Sequence, residues 1–327
     1  MEIEMQNGKQ EEKKHPTWCY LVALWGVILV WGTTPVISSY LYMKASPTVI
    51  TSAVGAVSAF ALLVINRKRL RKINRTYLKI AIPTGLVNSS ASILQKIGLM
   101  YSTPARYAFL ENLSCVVVPI VMLILTKKRP TPLKCVAALV CLFGCFLLAG
   151  GDMGGAIGIG ELLCSIAGIL YGVNIALTAV MATKLYAPLY VLLHMTVHFL
   201  LSMVTSLVLN FVRVGGEPIE AIRFAWDPGV ILLIIILALV SNTLCWTVRT
   251  NVMKHLDATA VAVMMPFSAV VTAIISIILG YDTLTPSLAV GAIAVLVASV
   301  LSEIKVGRQR KVALPLSDNQ TEQNKNT

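Results

Sequence analysis

Apolar residues in this chain run in long unbroken blocks separated by short polar stretches. They neither alternate strictly nor recur at the spacing of a one-sided surface helix. A helix that crosses a bilayer needs about 20 predominantly apolar residues. Ten blocks approach that length, at 18–43, 48–66, 77–96, 104–126, 133–150, 157–182, 188–211, 229–250, 258–280 and 286–305. The pattern therefore predicts an all-α integral membrane protein with ten transmembrane helices. The polar ends, 1–16 and 307–327, are expected to be disordered cytoplasmic tails, the second one basic.

The first block contains Trp31-Gly32-Thr33-Thr34-Pro35. Two threonines and a proline would weaken a soluble helix. In a membrane helix the lost backbone bond can be met by neighbouring helices or by Ser/Thr side chains. The stretch reads as a bend, serving either packing or a hinge that faces a cavity. It has an echo at Tyr171-Gly172-Val173-Asn174. Trp31 precedes Pro47, at the start of the next block, by 16 residues, and Tyr171 precedes Pro188, also at a block start, by 17. Residues 17–150 thus resemble 156–306, five helices each, joined by an outer linker at 151–155 within the Gly-rich run 150–155. Asp152, in that linker, is expected only to be solvated.

Composition fits the pattern. The chain is 57% hydrophobic and 13% charged, where soluble domains are nearer 45–50% and about 25%; mean hydropathy is +0.78. A net charge of +12 would suit nucleic-acid binding, but the basic residues sit in short loops between apolar blocks. With the N-terminus inside, all Lys and Arg fall on the inner side except Lys44, Lys96, Arg106, Arg213 and Arg223. In this count Arg249 is an inner-loop charge beside Lys254. The asymmetry follows the positive-inside rule and places both termini inside. Five helices per half is an odd number, so the second half enters from the opposite face. That makes an inverted repeat, an architecture common among secondary transporters, with a site near the midplane. A cleavable signal is not expected, because the first apolar block is too long for one. The seven cysteines lie in or beside apolar blocks without metal-type spacing, and no disulfide framework is expected.

Several motifs together resemble the drug/metabolite transporter superfamily, in its EamA-type ten-helix branch. They are Trp31-Gly32-Thr33-Thr34-Pro35 in the first helix, Ser46-Pro47 at the second, and Leu279-Gly280-Tyr281-Asp282-Thr283-Leu284-Thr285 followed by Gly291. Leu125-Thr126-Lys127-Lys128 followed by Gly144 is the first-half counterpart. The sequence departs from the family pattern in three ways. Lys128 and Asp282 stand where the family has glutamate. Pro119 and Pro266 are displaced from its helix-four and helix-nine prolines. The helix-two position near Val54 is apolar. The resemblance implies export or exchange of a small organic metabolite, amino acid or drug across the cell membrane.

An ionisable residue at membrane depth is a functional candidate by default. Glu111, with Asn112 beside it, lies about 10 Å from the outer end of the fourth helix at 1.5 Å per residue. It could carry protons, or it could form an ion pair with Arg106 or Lys96. Tyr107 lies about a turn away. Polar stretches at similar depth, Asn88-Ser89-Ser90-Ala91-Ser92 and Ser241-Asn242-Thr243, suit either interhelical hydrogen bonds or a cavity. Tyr171, Asn174 and Trp246 could line such a cavity. His194 and His198 share one helix face; a metal would need a third ligand, so packing or a proton relay is expected. Glu161 suits the positive end of a helix dipole. The pathway candidates are therefore Glu111, Asn112, Tyr107, Arg106, Asn88, Ser92, Tyr171, Asn174, His198, Asn242 and Trp246. The hinge or kink candidates are Gly32, Pro35, Pro119 and Pro266. No phosphate-binding glycine loop or catalytic constellation is present in the sequence, so no enzyme activity, cofactor or metal is expected. The expected partners are a small-molecule solute, protons, the lipid bilayer and a second copy of the chain as a homodimer, with no nucleic acid. A membrane receptor without flux is the alternative, though the short loops and tails leave little room for a signalling domain.

Overall fold

A computed structural model describes residues 16–101, 110–149, 158–214, 217–280 and 283–303. The expectations for Arg106, Tyr107, Asp152, Asp282, the linker and both tails fall outside these residues. The chain forms helices α1 (Thr17–Lys44), α2 (Pro47–Asn66), α3 (Arg75–Met100), α4 (Ser114–Thr126), α5 (Pro132–Leu148), α6 (Ile159–Met181) and α7 (Ala187–Phe211). They continue as α8 (Pro228–Val252) and α9 (Ala258–Ile278), then α10 (Pro286–Glu303). Among the described residues, six of these are long and apolar enough to cross a membrane: α1, α2, α6, α7, α8 and α9. α3 falls short because its middle is polar, from Asn88 to Gln95. α4, α5 and α10 are shorter apolar helices. The protein is a multi-pass membrane protein.

Helices from the two halves of the chain pack mostly on each other. α1 lies against α8 and α9, α6 against α3 and α4, α2 against α7, and α5 against α10. Glycines set the closest approaches. A Cβ on Gly32 would lie 2.5 Å from Val271 Cβ and 2.9 Å from the Ser268 carbonyl of α9. On Gly172 it would lie 2.6 Å from Val117 Cβ and 3.3 Å from Ser114 Cα of α4. Gly144 and Gly291 face each other's carbonyls at the α5–α10 crossing. Backbones this close gain van der Waals contact that lipid cannot supply, which is why small residues collect at membrane helix interfaces.

Helix irregularities fall at matching places. α9 is interrupted at Met265-Pro266, and the chain entering α4 turns at Asn112-Leu113 before the helix resumes at Ser114. Pro119 is buried inside α4 without interrupting it, so the irregularity lies several residues before the proline named as a hinge. α1 likewise runs unbroken through Pro35, which is exposed. The hydroxyls of Thr33 and Thr34 both donate to the Val30 carbonyl, and Thr272 of α9 donates to the Gly32 carbonyl at 2.7 Å.

A short antiparallel pair, Arg213–Val214 with Glu217–Pro218, was not anticipated from the all-helical pattern. It begins a connection that folds back over the start of α2. Ser46 donates to the Ala221 carbonyl at 2.5 Å and accepts from Arg223 N at 2.8 Å. Glu220, buried, accepts from Thr48 N at 2.9 Å. The α2 N-terminus is thus capped by a carboxylate more than 170 residues away in sequence, where it also meets the positive end of the helix dipole. Glu161 works locally: its Oε2 accepts from Gly158 N at 3.0 Å at the start of α6.

Candidate functional site

At the centre of the helix assembly, α1, α7 and α8 bring together an aromatic and basic cluster. Trp31 donates from Nε1 to the Ser241 carbonyl at 3.1 Å, and Thr34 shares a 3.2 Å hydrogen bond with the Ser241 hydroxyl. The two indoles of Trp31 and Trp246 lie 5.9 Å apart. His194 lies 4.9 Å from Trp246 and 5.6 Å from Tyr190. Arg249 completes the group, with Cζ 4.8 Å from the Trp246 ring centre and 5.7 Å from that of Trp31.

Arg249 corrects the sequence reading. It was counted as an inner-loop charge, yet it belongs to α8 and is only 4% exposed. An arginine near a helix end normally extends toward the interface. Helical side chains lean toward the helix N-terminus, and here that direction leads away from the interface. It brings the guanidinium over Trp246, one turn back, and beside Trp31, midway along α1. Removing one cation from the inner side leaves the charge asymmetry in place. The signal that could have found it is Trp246 three residues before a lone charge within an apolar block. The turn that presents this group is also irregular: Leu237–Cys245 is π-helical, a feature often found at functional sites. Asn242 lies in that turn, partly buried.

A second polar group joins α3, α6 and α7. Tyr190 donates to the Thr84 hydroxyl at 2.9 Å and lies 3.1 Å from the Thr178 hydroxyl. Asn174 donates to the Thr84 carbonyl at 2.8 Å. Tyr171 donates to Gln95 Oε1 at 2.7 Å, and the Gln95 side chain also hydrogen-bonds Glu111, near which Lys96 carries its charge. His198 Nδ1 lies 3.2 Å from the Ser89 hydroxyl. His194 departs from the expected satisfied packing role: it is fully buried, and neither ring nitrogen has a hydrogen-bond partner among the described residues. Asn88 and Ser92 are buried on α3, and Asn88 Oδ1 is also without a partner there.

The predicted residues therefore divide. Trp246 joins the Arg249 cluster. Tyr171, Gln95 and Glu111 form a separate chain, and Asn112 sits at the turn before α4. Asn174 anchors α6 to α3. Arg249, Trp31, His194, Tyr190 and Gln95 were not among the expected pathway residues.

Residues 17–150 match the model of the EamA-like transporter family, part of the drug/metabolite transporter superfamily. That first part of the chain is similar to the family. Its members are transporters, not enzymes. No curated protein matches the sequence significantly. A solved crystal structure matches 88% of this chain and 98% of its own, with a TM-score of 0.69 at 14% identity. That likeness extends the fold beyond the EamA-matched segment into the second half.

Proposed function

We propose that this protein is an EamA-type secondary transporter of a small organic solute, working by alternating access as an exporter or exchanger in the cell membrane. In this reading 17–150 and 156–306 are inverted five-helix halves, ten spans in all, with both termini inside. The carrying observation is the crossed glycine packing. Gly32 of the first helix of one half meets Val271 and Ser268 in the fourth helix of the other; Gly172 meets Val117 and Ser114 in the same relation. The two partner pairs are offset by the same 154 residues, and the interruptions at 112–113 and 265–266 by 153. Two such interlocked units can rock about a central site, exposing it to each side in turn.

The Tyr171–Gln95–Glu111 chain supports a proton route beside that site, because it links a carboxylate to the interior through hydrogen-bonding side chains. Counterflow in proteoliposomes, against amino acids, nucleosides, sugars and cationic drugs, tests the transport reading; a receptor would give no flux with any. Glu111→Gln is expected to abolish flux driven by a pH gradient while sparing solute exchange. Unchanged pH-driven flux in that variant would remove Glu111 from the mechanism.

A further inference from the structure

We propose that Arg249, beside Trp31 and Trp246, is the binding group for the carboxylate of an organic monoanion. This rests on the transport reading and names its substrate class. Three observations carry it. First, the guanidinium is 4% exposed and its Nε has no hydrogen-bond partner among the described residues. Among the described residues no carboxylate forms an ion pair with it. Second, the indoles supply only part of what a buried cation needs. Ring faces attract the charge, but they take none of the in-plane N–H hydrogen bonds. Removing an ion from water is costly, and each hydrogen bond to a charged group recovers part of that cost. A carboxylate, bound through both oxygens, fills that deficit with matched geometry. Third, His194 lies against Trp246 with both ring nitrogens unpartnered among the described residues, offering one more donor or acceptor beside the same place.

Charge balance narrows the class. One guanidinium is neutralised by one carboxylate, whereas a phosphate monoester near its second ionisation would leave excess negative charge in a low-dielectric interior. The two indoles then give the organic body of the anion apolar, stackable surface.

The test uses the full chain in detergent, read by tryptophan fluorescence, with acetate, benzoate and 4-phenylbutyrate as probes of increasing size. Benzyl alcohol, benzylamine and phenyl phosphate are the neutral, cationic and dianionic counterparts. At least one carboxylate is expected to bind saturably, and benzoate more tightly than its three counterparts. Arg249→Gln should weaken carboxylate binding at least tenfold, and Arg249→Lys, which keeps the charge but not the two-pronged donors, by less. Because Arg249→Gln removes an uncompensated buried charge, its melting temperature should equal or exceed that of the wild type, and Lys134→Ala should leave binding unchanged. No response to any carboxylate, preference for a counterpart probe, binding unaffected by Arg249→Gln, or a lower melting temperature for that variant would each overturn the assignment. Proteoliposome flux separates the two readings. Carboxylate binding without flux of any solute overturns transport but not the anion site. Flux of neutral solutes, untouched by Arg249→Gln, overturns the anion site but not transport.

Discussion

The crossed glycine contacts can be tested by adding one carbon at a time. Gly26 and Gly32 lie in the same helix, α1. A Cβ at Gly26 meets nothing within 4 Å, whereas at Gly32 it would lie 2.5 Å from Val271 Cβ and 2.6 Å from Val271 Cγ1. Gly→Ala in a helix interior gains about 0.5–1 kcal/mol from reduced backbone entropy, and that gain is common to both sites. Their difference isolates the steric term, about 1–3 kcal/mol for an overpacked contact. The upper part of that range is expected, because the Ser268 carbonyl, 2.9 Å away, is backbone and cannot rotate aside. The assay is thermal or denaturant unfolding in detergent, followed by tryptophan fluorescence. Gly26→Ala should melt at or above the wild type, and Gly32→Ala well below Gly26→Ala. Adding Val271→Ala removes Cγ1 but leaves Cβ and the carbonyl, so it should recover part of the loss, a coupling of at least about 0.5 kcal/mol. Val117→Ala, in the other half, should show none with Gly32→Ala. Gly172→Ala should reverse the preference, coupling to Val117→Ala and not to Val271→Ala. Equal stability of Gly26→Ala and Gly32→Ala, or equal coupling to both valines, would refute the crossed arrangement.

Other consequences are more local. Glu220→Ala removes the remote cap of α2 and should cost about 0.5–2 kcal/mol, while Glu220→Gln, which keeps an acceptor oxygen, should cost less; chemical unfolding of both compares them. Lys127 and Gly280 adopt left-handed backbone after α4 and α9, at φ 55° and 75°. Gly280→Ala should therefore lower stability by about 1–2 kcal/mol and Lys127→Gly should raise it, measured by melting temperature. Tyr190→Phe leaves two buried threonine hydroxyls without their phenol partner and should cost about 1–3 kcal/mol, with loosened α3–α7 contact visible as faster amide exchange near Thr84.

What the sequence made legible was spacing, and what it concealed was depth and partner. Trp31-Gly32 and Tyr171-Gly172 are readable as an echo because glycine and aromatic neighbours survive in a monotonously apolar background. The reason for the echo is not readable, since Val271 and Val117 look like any other valine until the helices are docked. Ser46-Pro47 marks a helix start on composition, but its serine serves a loop from 175 residues away. Arg249 was concealed by the rule that fixed the topology. Positive-inside counting assigns a basic residue near a helix end to the inner loop, and only the direction of the side chain distinguishes a solvated cation from a buried one. Pro35 and Pro119 misled in the opposite sense, because a proline signals a lost hydrogen bond without saying whether the helix breaks there.

In the proposed two-half arrangement the packing repeats, but the chemistry placed on it does not. In both halves an aromatic residue beside the packing glycine reaches across to the third helix of the other half. Trp31 donates to the Ser241 carbonyl of α8, and Tyr171 donates to Gln95 of α3. Beyond that shared gesture the charges are opposite. The α8 side carries a buried guanidinium beside indoles, and the α3 side leads through an amide to the carboxylate of Glu111. A pair of identical ends would hold any ligand symmetrically. Unlike ends, on a frame whose halves can exchange roles, give a bound anion one fixed orientation and keep Glu111 on a separate branch. Under the proposed mechanism, motion and selectivity reside in different residues: the glycines at 32 and 172 would govern how the halves slide, and Arg249 what is held while they do.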